Sequence, residues 1–132
     1  MFGLFGGKNK FAEKVSEEIL NIINIVKIPE TNDTVKTIQK EMKENGAPKE
    51  LIESVKFNTI VAGALSQPLE HDLDYMYKNF HERQAAMYCI STYITNIYSS
   101  GQLAEYKNEQ PDMYSALRTL WQTCATAVEQ NL

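Results

Sequence analysis

The chain has 132 residues, 43% of them apolar and 23% charged, a size and mix suited to one globular domain with its own core. That balance excludes a disordered chain, and no apolar run is long enough to span a bilayer. The net charge is −4: nine lysines match nine acids up to Ser66, whereas four bases face eight acids from Gln67 onward.

Residues 1–8, MFGLFGGK, read as a flexible N-terminal arm. Its apolar part is too short for a signal-sequence core, and Lys8 and Lys10 follow that part instead of preceding it. Phe2, Leu4 and Phe5 could dock on a groove of the same domain or of a neighbouring subunit, with the glycines as hinges. Residues 9–132 read as a single all-α domain. Phe11, Val15, Ile19, Ile22 and Val26 recur at three- and four-residue steps and predict a helix over Asn9–Val26. Lys27-Ile28-Pro29 ends it, since a residue before proline is pushed out of the helical region. Asn32 or Asp33 is placed to cap a short helix with Val35, Ile38 and Met42 inward and Gly46 as its stop.

Pro48, Pro68 and Pro111 each stand where a first helical residue belongs, with Glu50, Glu70 and Asp112 close behind. Proline loses no needed hydrogen bond there, and the acid complements the helix dipole. The predicted helices are Pro48–Leu65, Pro68–Ser99 and Pro111–Gln130, with room for a turn at Leu103–Tyr106. Phe57–Leu65 is β-branched enough for a strand but has no convincing partner strand. The fold expected is a helical bundle of four main helices plus one short helix.

The long helix, about 68–99, carries most of the information. At about 100° per residue, Leu69, Leu73, Met76, Phe80, Met87, Ile94 and Tyr98 form one stripe. Beyond Gln84, a second apolar face of Ala86, Cys89, Ile90, Tyr93 and Ile97 leaves this half apolar nearly all round, which calls for cover on every side. A continuous helix would reach roughly 45 Å, against a radius of gyration of about 14 Å for a compact domain of this size. A homodimer is expected, joined through this helix and the last one (Met113, Leu117, Leu120, Trp121, Cys124 and Val128).

Candidate chemistry is sparse. Only two arginines occur and no basic cluster, so nucleic-acid binding is not expected. Cys89 and Cys124 fall among apolar neighbours without a C-x-x-C, as buried thiols of a reducing, cytoplasmic setting would. His71, Asp74 and His81 are the only material for a metal-dependent hydrolase, yet the histidines lie about 15 Å apart along one helix and Lys78 sits between them. The acid pattern of the all-helical nucleotide pyrophosphohydrolases fails at Asn21 and again after Glu70. No metal, cofactor or catalytic set is assigned.

Glu70, Asp74, Lys78 and Glu82 read instead as a solvated interaction surface held by Asp74–Lys78 and Lys78–Glu82 pairs four residues apart. Arg83 and Gln84 interrupt the apolar stripe, with Asp72 and Asn79 on the same edge. These four residues are the candidate site for a small anion. The expected function is non-catalytic protein–protein interaction or regulation, of adaptor, inhibitor or immunity type, with the acidic half facing a basic partner. Anion binding at Arg83 is the alternative, and a metal-dependent hydrolase the third reading.

Overall fold

Phe11, Val15, Ile19 and Ile23 follow one another at four-residue intervals and all four are buried, which gives helix α1 (Phe2–Val26) its inward stripe. The computed structural model describes residues 2–26 and 32–131, with side chains over 7–26 and 35–130. The Lys27–Pro29 stop lies outside the described residues, as do the side chains of Phe2, Leu4 and Phe5. The helical backbone of α1 begins at Phe2, ahead of the expected start at Asn9.

Among the described residues seven helices follow: α2 (Asn32–Glu44), α3 (Lys49–Glu53), α4 (Phe57–Leu65), α5 (Leu69–Asn79), α6 (Glu82–Ser99), α7 (Gln102–Glu109) and α8 (Pro111–Asn131). No strand occurs among the described residues, so the all-α class holds. Helix α6 is the hub, packing mainly on α8 and α1, while α1 also holds α4 and α5. Among the described residues no helix is long and apolar enough to cross a membrane.

Several stops are written in local chemistry. Gly46, at φ 77°, closes α2 with Ala47 N–H bonded to the Met42 carbonyl and Gly46 N–H to that of Lys43. That is the paired closure a left-handed glycine permits. Serine ends three other helices. Ser54, Ser66 and Ser100 are the residues after α3, α4 and α6, and each hydroxyl donates to the carbonyl three residues back, at 2.7, 2.7 and 2.9 Å. Each occupies a carbonyl that a helix end leaves without a partner. The helix expected over Pro48–Leu65 is therefore two, with Lys56 extended between them (φ −121°, ψ 146°).

The long helix is broken as well, although no glycine or proline lies within it. Phe80 (φ −130°, ψ 149°) and His81 (φ −79°, ψ 174°) are extended between α5 and α6. His81 caps α6: its Nδ1 accepts from Gln84 N–H at 3.4 Å, and its own N–H donates to Gln84 Oε1 at 3.3 Å. This is a reciprocal capping box with histidine in the usual serine or threonine place. Phe80 is buried, packed edge-on against Tyr75 and tilted against Tyr88.

Phase explains the break. On a continuous helix the stripe of Leu69, Leu73 and Met76 would stand roughly a quarter turn away from that of Ala86, Ile90 and Ile97. Two extended residues re-aim the second stripe so that both meet one core. The α6 core is Ala85, Ala86, Cys89, Ile90, Ile94 and Ile97, while Met87 is half-buried and Tyr98 is exposed. What looked like a second face in want of a second chain is the inward face, covered by α1 and α8. Met113, Leu117, Leu120, Cys124 and Val128 of α8 are buried within the same chain, whereas Trp121 is not. The continuous helix from which the dimer was expected is interrupted at Phe80 and His81.

Candidate functional site

Three of the four residues expected to hold an anion, Asp72, Asn79 and Gln84, have hydrogen-bond partners elsewhere in the chain. Arg83 is exposed in the first turn of α6, and among the described residues it makes no salt bridge with Asp72, Glu17 or Glu18. Gln84 is occupied in the capping box. Asn79 donates from Nδ2 to the Tyr75 carbonyl at 2.8 Å and covers the end of α5. Asp72 accepts from the Tyr88 hydroxyl at 3.2 Å. Arg83 and Gln84 thus interrupt the apolar pattern because a helix starts there.

The interaction surface is likewise rearranged. Glu70, Asp74 and Lys78 are exposed on α5, but Glu82 lies beyond the break and is half-buried. Neither Asp74–Lys78 nor Lys78–Glu82 forms a salt bridge. Asp74 instead takes Lys8 of α1, at 2.6 Å. The Lys8 hydrogen bond, then the Lys8 charge, hold the Asp74 carboxyl below the usual carboxylate range, with Lys78 a minor contributor. This pair joins the start of α1 to α5, beside the edge contact of the Phe11 and Tyr77 rings. The Tyr77 hydroxyl rests over Gly7, where a Cβ would come within 2.8 Å of it.

Two further acids, Glu70 and Asp72, stand in the first turn of α5. Glu70, His71 and Asp72 line a hollow of about 330 Å³ between α5 and α6, completed by Thr92, Tyr93 and Asn96. Asp72 links it to an aromatic brace: Tyr88 donates to Asp72, and the rings of Tyr75, Phe80 and Tyr88 stand 5.5–5.8 Å apart. Burial, and then the Asp72 charge, raise the Tyr88 phenol above its ordinary value. Burial raises Tyr93 also. Both stay neutral donors at physiological pH.

The cysteines are far from reactive. Cys89 and Cys124 are free and buried, and burial pushes their thiols up to about 12 and about 11. A nucleophilic cysteine requires the opposite shift. His71 and His81 stand on separate elements, with His81 Nδ1 engaged by Gln84. Among the described residues, no three of histidine, cysteine, aspartate and glutamate converge on a possible metal position.

One feature escaped the sequence. Arg118 of α8 lines a groove with Tyr98 and Trp121 where α6, α7 and α8 meet. Its only linear trace is spacing: Tyr114, Arg118 and Trp121 fall three and four residues apart, on one helix face. The chain matches no protein-family model, no curated protein and no solved structure.

Proposed function

We propose that the protein is a non-catalytic interaction or regulatory module whose α5 edge receives a basic segment of a protein partner. The observation carrying this reading is the hollow lined by Glu70, His71 and Asp72 beside the braced ring of Tyr75, which is 46% exposed. A lysine or arginine side chain has the charge for the hollow, and a fixed tyrosine offers contact area with little entropy left to lose. The acid excess of the second half would speed encounter with such a partner. Two buried free thiols suit a reducing, cytoplasmic setting.

A photo-crosslinking amino acid placed at Asn96, exposed on the wall of this hollow, tests the reading in cells. Adducts with a protein bearing a basic segment are expected, and they should vanish when Glu70→Lys is combined with Asp72→Asn. Adducts unchanged by those substitutions would sink it.

A further inference from the structure

The groove between α6, α7 and α8 has a volume of about 630 Å³, inside the ~300–1,000 Å³ span of small-molecule sites. Its base is aliphatic, from buried Ile94 and Leu103, and its walls are Tyr98, Tyr114 and Trp121. Tyr98 is 72% exposed and Trp121 38%. None of the ring–ring contacts among the described residues uses these three aromatics. Trp121 is nonetheless fixed. Its Nε1–H donates to Thr95 Oγ1 at 3.0 Å, and that hydroxyl donates to the Ser91 carbonyl at 2.7 Å. The indole is held before a ligand arrives, which lowers the entropy lost on binding.

Charge narrows the ligand. Among the described residues Arg118 is the only charged one on the lining, and it has no salt bridge with any of them. Lys107 stands close by, its Nζ 5.9 Å from the centre of the Tyr114 ring. An acid-free groove with an unpaired guanidinium is the exception in a half-chain of eight acids and four bases. A guanidinium fork matches a carboxylate with two parallel hydrogen bonds. We infer that this groove binds a small, flat apolar molecule carrying a carboxylate, its ring on the aromatic walls and its anion on Arg118. A second copy of the chain is the poorer occupant. A two-fold interface sets a patch against itself, bringing Arg118 towards its own copy.

Trp121 is the only tryptophan in the chain, so its emission reads this groove alone. The test titrates the full chain with 4-tert-butylbenzoate and with its neutral isostere, 4-tert-butylbenzamide, exciting Trp121 selectively. The benzoate should bind more tightly by roughly two- to five-fold, the range of a solvent-exposed ion pair. Arg118→Gln should bring the two ligands level, Arg118→Lys should keep part of the preference, and Tyr98→Ala should weaken both alike. Arg118 and Tyr98 are exposed, and unchanged unfolding midpoints would verify that the variants fold. Equal binding of acid and amide to the unaltered chain overturns the proposal. So does the lack of a saturable change, or an emission shift that follows protein concentration together with a doubled mass, which would place a second copy in the groove.

Discussion

Tyr75 on α5 and Trp121 on α8 are both exposed aromatics, yet their surroundings differ. Tyr75 leans on Phe80 and Tyr88, beside a lysine–aspartate pair that ties α5 to α1. Trp121 has one hydrogen bond, no ring partner among the described residues, and an unpaired arginine on the same groove. On α5 the aromatic contacts are made within the chain and brace the turn into α6. Along α8 the aromatic faces and the cation are left for something else. The first region packs its rings on one another beside the small hollow of Glu70 and Asp72, whereas the second turns its rings towards a larger groove. Fractional exposure alone would not separate them; the partners of each ring do.

Removing the brace breaks the comparison most severely. Phe80→Ala deletes a buried ring between α5 and α6 and should cost about 3 kcal/mol of unfolding free energy, at the low end of such truncations. Denaturant unfolding measures that loss. Trp121 emission in the folded state should stay as it was, because the groove does not depend on α5. A shifted native emission would mean that the two regions are one.

Alkaline pH comes next, since each region has its own buried thiol: Cys89 touches Met76 of α5 through sulfur, at 3.5 Å, and Cys124 lies on α8. Both folded values, about 12 and about 11, stand above the ordinary 9.0. The unfolded chain therefore releases these protons first. Their stabilising effect is complete below pH 9 and is lost as pH rises through the folded values. The two thiols together should remove about 3 kcal/mol by pH 10, at ~1.4 kcal/mol per pH unit for each. Stability measured against pH should fall less steeply in Cys89→Ala and in Cys124→Ala, each removing one share. Equal slopes in all three proteins would show that the thiols do not titrate with unfolding.

The smallest effect sharpens the account of the break. His81→Ala removes the side-chain half of the capping box, and a loss of about 0.5–1 kcal/mol is expected from thermal or chemical unfolding. Adding Gln84→Ala should cost little more, because the two bonds serve one cap. Strict additivity of the two substitutions would refute a shared cap.

Much of this fold is legible in the sequence, where burial follows one helix at a time. The four-residue beat of α1, the inward face of α8 and the Gly46 stop all depend on neighbours within a few positions. The break at Phe80–His81 was harder to see because its signal is not a breaker residue. Its signal is His81-x-x-Gln84, together with two apolar stripes that disagree in phase. The second stripe is visible in the sequence, yet a second chain explains it as readily as a change of direction does. Ser54 hides the other interruption in the same way, through a hydroxyl that competes for a helix carbonyl. Arg83 and Arg118 show what no linear pattern supplies. Both sit in apolar helices, and which one meets a cavity is decided by where α7 crosses α6 and α8. That packing brings Leu103 and Tyr98 to Arg118.

The two extended residues at Phe80–His81 also divide the backbone amide ladder. In a continuous helix, opening near Met76 would propagate through shared hydrogen bonds towards Cys89. Here the ladder of α5 ends when Phe80 N–H reaches the Met76 carbonyl, and a separate one begins when Ala85 N–H reaches the His81 carbonyl. Amide exchange can then proceed as two cooperative units, α5 opening while α6 stays closed among α1 and α8. The α5 edge gains freedom to adjust without loosening the helix on which the rest of the bundle is assembled.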